Sequence, residues 1–198
     1  MKSMLLFLAA ALTLAQTALA DGLRLGDPGY GGTGCPAGSA SATLSPDQTS
    51  LSILFDQFTV EAGGNTQKMV DRKSCNIAIP VHVPQGYSVS LFTVDYRGFN
   101  FLPYGARSAL NAEYFFAGQA GPRTSRNFYG SLNSNYLFSN QLSTEQLVWS
   151  PCGASTNLRI NASMMVQSNS SRQQALATVD SADIKSGLVF HIQWRRCN

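Results

Sequence analysis

The sequence predicts an all-β domain, a two-sheet antiparallel β-sandwich with a jelly-roll arrangement among the topologies open to it. Three observations carry this. Leu158, Ile160, Ala162, Met164 and Val166 alternate with Arg159, Asn161, Ser163 and Gln167, the period of a half-buried strand. Leu188, Phe190, Ile192 and Trp194 alternate likewise with His191, Gln193 and Arg195. No segment after the first twenty residues sustains a 3.6-residue period, and Gly, Pro and Asn punctuate the chain at short intervals, as in two packed sheets.

Residues 1–20 read as an export signal. Lys2 supplies a positive start, Met4 to Leu14 an apolar run too short to span a bilayer, and Ala18-Leu19-Ala20 a small-residue cleavage site. The expected mature chain begins at Asp21. It has no second long apolar run, hence no expected transmembrane helix, and a secreted location is expected, with the periplasm as the alternative. Without Lys2, thirteen basic residues face eleven acidic ones. That balance points to neither nucleic acid nor an acidic membrane as partner.

Asp21 to Gly38 is rich in Gly and Pro, with DPGYGGTGCP at its heart, and no helix or regular strand is expected there; residues 21–34 form the lead-in to the domain. A single domain then spans residues 35–198. Ser41 to Leu44 and Ser50 to Phe55 make a hairpin about the turn Ser45-Pro46-Asp47-Gln48, and Phe58 to Glu61 continues it. A polar loop is expected from Gly63 to Ser74. Ile77, Ile79, Val81 and Val83 share a strand face, and Pro80 within them marks an edge or a bulge. Tyr87 to Asp95 is a strand, followed by a loop carrying Tyr96, Phe99, Phe101 and Tyr104. Tyr114 to Phe116, Arg126 to Tyr129 and Leu147 to Ser150 are further short strands. Nine or ten strands result.

Cys35, Cys75, Cys152 and Cys197 follow the export signal, and an even count in that setting reads as two disulfides. Three connectivities are open. Cys35–Cys75 with Cys152–Cys197 is favoured, one staple for each half of the chain. Each closes a loop of roughly 40 residues, worth about 4 kcal/mol in the chain-entropy account. A zinc site is disfavoured, because there is no C-x-x-C pair and only two histidines.

Several phrases resemble one family: GGTGCP (Gly31 to Pro36), LSPD (Leu44 to Asp47), VDYRGF (Val94 to Phe99), VWSPCG (Val148 to Gly153), TVDS (Thr178 to Ser181) and QWRRC (Gln193 to Cys197). In this order, over nearly the whole mature chain, they resemble the uncharacterised secreted family catalogued as domain of unknown function 4360. The resemblance implies a small exported protein with these four cysteines, and it carries over no catalytic residue.

A nucleophilic triad is disfavoured: His82 and His191 both fall on strands, and no G-x-S-x-G occurs. Asp56, Glu61, Asp95 and Glu113 are the acids near strands from which a glycosidase pair would have to come. Asp95 and Arg97 read first as a brace at a turn. Asp27, Asp180 and Asp183 read as turn formers rather than calcium ligands, since no D-x-D-x-D-G run occurs. No cofactor or metal is expected. Trp149 and Trp194, each near a cysteine, read as core rings. Asn161-Ala162-Ser163 and Asn169-Ser170-Ser171 are glycosylation sequons.

The leading expectation is a non-catalytic extracellular binding module for polysaccharide or another cell-surface component. Its expected binding residues are Asp95, Tyr96, Arg97, Phe99 and Tyr104, with Tyr129 and Tyr136 flanking a second loop. Rings stack on sugar faces, and carboxylate and guanidinium groups hydrogen-bond sugar hydroxyls. The alternatives are a structural or adhesive envelope protein, and a hydrolase built on a carboxylate pair.

Overall fold

The computed structural model describes residues 22–179 and 187–197. The export signal and the Asp180 and Asp183 pair lie outside them. The described strands are β1 (Arg24–Leu25), β2 (Gly29–Gly31), β3 (Ala40–Leu44), β4 (Ser50–Phe55), β5 (Thr59–Ala62), β6 (Val70–His82), β7 (Tyr87–Leu102), β8 (Arg107–Phe116), β9 (Arg123–Tyr129), β10 (Leu132–Gln141), β11 (Ser155–Gln167), β12 (Ala175–Val179) and β13 (Leu188–Arg196). They form two antiparallel sheets, as the alternation predicts.

The first sheet runs β1-β6-β11-β8-β9, with β2 also on β6. The second runs β3-β4-β13-β7-β12-β5, with β10 on the other edge of β7. β7 organises that sheet. One of its edges pairs first with β13 and then with β12, while the other pairs with β10 from Thr93 to Leu102. Alternate residues of the two sheets meet in the core: Ile77, Ile79, Leu158, Ile160, Met164, Leu110 and Tyr114 from one, Leu51, Ile53, Val94, Tyr96, Leu188 and Phe190 from the other. Each fully buried aliphatic or aromatic side chain contributes roughly 1.5–3 kcal/mol.

Several expectations need correction. The lead-in is not irregular throughout: β1 and β2 both lie on the edge of β6, held by the Cys35–Cys75 bridge. Pro80 lies beside the break between those two short strands: its carbonyl accepts Gly26 N at 2.8 Å, and the named ladders of that edge stop on either side of it, at Val81 and Ala78, so the N–H it lacks is not called on there. The polar loop ends at Met69, where β6 begins, five residues earlier than expected. Leu147 to Ser150 is no strand; only Trp149 bridges to Ser90.

The largest difference is in β7 and β10. Gly98 suggests a loop, yet β7 runs straight through it, and Tyr136 of β10 crosses above it. A Cβ on Gly98 would lie 2.3 Å from the Tyr136 hydroxyl and 2.1 Å from the Thr178 carbonyl oxygen. The glycine is there for that close approach. Tyr136 donates to Thr178 O at 2.8 Å.

Both disulfides have the favoured connectivity, with Cα–Cα distances of 5.3 Å for Cys35–Cys75 and 6.1 Å for Cys152–Cys197. The tryptophans are not core rings. Trp194 is 36% exposed and meets Tyr87 edge-on, and half-buried Trp149 carries the Arg195 guanidinium 4.1 Å above its ring. Among the described residues no helix is long and apolar enough to cross a membrane.

Candidate functional site

The outward residues of the six-stranded sheet line up in cross-strand rows. Asn76, Asn161, Glu113 and Arg123 make one row; Ser74, Ser163, Asn111 and Ser125 make the next. Short side chains in these two rows leave an open groove of about 510 Å3, lined also by Ala112, Ala162 and Thr124. Longer residues rise at its ends: Arg159 and Phe115 beyond the first row, Arg72, Met165 and Asn127 beyond the second. Arg123 Nε donates to Glu113 Oε1 at 2.9 Å, with the arginine 79% exposed. The groove thus offers hydroxyl and amide groups of both polarities plus one ion pair, the equipment for hydrogen-bonding a polyhydroxylated ligand.

Asp95, Tyr96, Arg97, Phe99 and Tyr104 do not converge there, and none of them lines the groove. They lie on or after β7, in the other sheet. Asp95, Arg97 and Phe99 alternate outward on its outer face, beside Ser139, Leu137 and Asn135 of β10. Tyr96 occupies the opposite phase and is fully buried, stacked on Phe138 with ring centroids 4.8 Å apart. It cannot present its ring to a ligand, and the expectation that placed it in a loop fails because the strand continues. Tyr104 sits on the turn between β7 and β8 and is 83% exposed. Tyr129 is exposed at the end of β9, next to the turn whose Gly130 N donates to Ala106 O at 2.9 Å.

Asp95 is braced across three strands rather than at a turn. One carboxylate oxygen accepts the Ser139 hydroxyl from β10, and the other meets His191 Nε2 of β13 at 2.9 Å. The carboxylate stands between serine and histidine. A nucleophilic triad needs the histidine in that middle place, taking the serine proton, so this order does not activate Ser139. Partial burial pushes the Asp95 carboxyl up, but hydrogen bonds from His191 and Ser139, with the charges of His191 and Arg97, outweigh it and hold the group below the ordinary 3.8. The folded state therefore favours the ionised form. The resulting stability is present above 3.8 and is lost as pH falls through the lower folded value. Asp47 and Asp71 are held low as well. Asp95→Asn should accordingly remove part, not all, of the acid-induced loss of melting temperature below pH 3.8. An unchanged acid slope in the variant would contradict this assignment.

The acids near strands are dispersed. Among the described residues Glu113 is the single carboxylate lining the groove. Asp95 lies on the opposite face of the sandwich, and Glu61 on β5 accepts from Gln174 at 2.6 Å. Among the described residues the groove has no second carboxylate to make the pair that glycoside hydrolysis of this kind uses. Among the described residues no group of three or more His, Cys, Asp or Glu is placed to hold a metal ion. His82 meets Ser155 Oγ at 3.0 Å. Of the two sequons, Asn169 is 9% exposed and its side chain is tied to Tyr104 O and to Gln173, whereas Asn161 lines the groove.

Sequence reasoning placed Arg159, Asn161 and Ser163 on one polar strand face. It did not see that Asn76, Asn111 and Arg123 come alongside, because the strands that carry them are far apart in the chain.

Fold and groove together define a disulfide-bonded β-sandwich with one open polar face. The model of the domain of unknown function DUF4360 matches residues 21–197, and the chain belongs to that family. A relative from Arthroderma benhamiae, called "Uncharacterized secreted protein", is 32% identical over 169 residues, covering 85% of this chain and 69% of its own. Among solved structures, TmCBM61 in complex with beta-1,4-galactotriose aligns over 86% of this chain and 88% of its own, at 9% identity and a TM-score of 0.29. At that TM-score the ligand of one says nothing of the other.

Proposed function

We propose that this protein is a secreted, non-catalytic binding module that takes a polysaccharide in the groove of its six-stranded sheet. The supporting observation is the groove itself: about 510 Å3, open along the sheet, and floored by Ser74, Asn76, Asn111, Asn161 and Ser163. An extended sugar chain matches such a floor, because each pyranose offers hydroxyls that both donate and accept. Exposed Tyr129, at the end of β9 on this same face, and Tyr104 on the adjoining turn supply rings for stacking. Of the five residues first expected to bind, none lines the groove, and Tyr104 alone is offered to it, from the turn between β7 and β8. Asp95, Arg97 and Phe99 form the rival surface on the opposite face.

Affinity electrophoresis through a panel of soluble polysaccharides tests the reading. A polymer that retards the protein should cease to do so for Ser163→Trp, which fills the groove, and for Asn111→Ala/Asn161→Ala, which strips its amides. Thermal melts serve as the folding control. Retardation that survives both variants but is lost in Phe99→Ala would move the site to the seven-stranded sheet. No retardation by any polymer would sink the proposal and favour an adhesive or structural role.

A further inference from the structure

The four strands under the groove are unevenly charged. β6, β11, β8 and β9 hold two carboxylates, Glu113 and Asp71. Asp71 falls in the inward phase of β6, opposite Val166, and is taken by Lys68 Nζ at 3.0 Å. The outward phase carries one arginine from each strand: Arg72, Arg159, Arg107 and Arg123. All four are exposed. Glu113 neutralises Arg123, and Arg107 donates to the uncharged Gln167 Oε1 at 2.9 Å. Among the described residues, no carboxylate lies within ion-pair distance of Arg72, Arg107 or Arg159.

Their positions follow from the register. Arg107 pairs with Gln167, Arg72 with Met165, and Arg123 lies in the row of Asn161, two residues from Arg159. From Gln167 to Arg159 is eight residues of strand, roughly 27 Å at about 3.4 Å per residue. The cations therefore stand past the two ends of the groove and on different strands, Arg159 beyond the first row and Arg72 and then Arg107 beyond the second, so a chain longer than the groove that runs along the strands passes each in turn. For a mature chain so nearly balanced in charge, this concentration on one face is a selective feature.

We infer that the groove selects an anionic polysaccharide, one bearing carboxylate or sulfate groups along its chain, with Arg72, Arg107 and Arg159 as the anion contacts. This rests on the groove reading above. Arginine suits the role because its planar guanidinium pairs carboxylate and sulfate oxygens two at a time. A nucleic acid also brings anions, but the floor of serine and asparagine is built to hydrogen-bond hydroxyls, and the exposed rings of Tyr129 and Tyr104 stand off that floor rather than along it, where successive bases would need them.

The test compares three polymers on the purified protein at low salt: polygalacturonate for carboxylate, dextran sulfate for sulfate, and unmodified dextran as the neutral control, with single-stranded DNA as a fourth arm. The expected result is that one or both anionic polysaccharides bind more tightly than dextran, and that raising salt to about 1 M weakens them strongly. Which of the two binds identifies the anion. Arg72→Ala/Arg159→Ala should weaken that binding about tenfold, since two exposed ion pairs of the usual strength sum to that factor. Arg72→Lys/Arg159→Lys should retain most of it, and both variants should melt like the wild type. Equal binding of dextran and the anionic polymers, unmoved by the alanine pair, would overturn the inference and leave the groove reading standing. DNA binding as tight as the better anionic polysaccharide would overturn it in favour of indiscriminate polyanion binding. Binding of none of the polymers would overturn the inference, while the groove reading would still stand or fall on the wider polysaccharide panel.

Discussion

Cys35→Ser/Cys75→Ser should lower the free energy of unfolding by about 4 kcal/mol or more. The bridge spans 40 residues, and closing a loop of that size removes about 4 kcal/mol of unfolded-chain entropy. Packing adds to this. Both cysteines are completely buried, so each serine hydroxyl would need a partner in the core or cost a further ~1–3 kcal/mol. The bridge also holds the lead-in on the edge of β6, where Gly34 N donates to Ser74 O at 2.8 Å and Gly34 lies against the Phe58 ring. The second bridge spans 45 residues, a nearly equal entropy term, but Cys152 is exposed and Cys197 half-buried. Cys152→Ser/Cys197→Ser should therefore be the milder variant, and a mild reductant should open that bridge first on the folded protein. For a chain of this size a 4 kcal/mol loss corresponds to a melting temperature lower by roughly 8–16 °C. Thermal unfolding of the two double variants checks the ranking; equal losses, or the reverse order, would contradict the burial argument.

Tyr96→Ala should cost about 3–5 kcal/mol, the range for truncating a large core ring, whereas Tyr104→Ala should stay within about 0.5 kcal/mol. Eight residues separate two tyrosines that look alike in the sequence. Tyr96 is sealed between the sheets, stacked on Phe138, which in turn meets Phe128 and Tyr136. Burial pushes its hydroxyl up to about 12, against a smaller downward pull from Thr124. Tyr104 is 83% exposed. Urea unfolding of the two variants separates them, and comparable losses would mean that Tyr96 is not the core residue described.

The contrast shows what was legible. Alternation in β11 and β13 was strong enough to reveal strands and their buried faces, since a half-buried strand writes its environment into every second residue. The same alternation runs through Val94, Tyr96, Gly98, Asn100 and Leu102. It was obscured because Gly98 and Asn100 are not apolar. Gly98 makes room for a ring from β10, and Asn100 accepts the buried Ser108 hydroxyl at 2.7 Å. β10 itself, rich in Ser and Asn, carries only Leu132, Tyr136 and Phe138 toward the core. Cysteine pairing by halves of the chain was readable because each bridge is local to its half. The groove was not readable. Its floor is made of Ser and Asn, residues that occur on any surface, and its rows exist only through the register of β6, β11, β8 and β9.

The most direct test of the groove as the binding site reads its own side chains. A polysaccharide that retards the protein would be titrated into the 15N-labelled protein while the side-chain amide resonances of the asparagines are followed. Asn76, Asn111 and Asn161 line the groove, and Asn133 and Asn135 lie on the outer face of the other sheet. The account predicts that the first three shift and saturate together while the latter two stay in place. Shifts confined to Asn133 and Asn135 would place the ligand on the Asp95, Arg97 and Phe99 face and contradict the account.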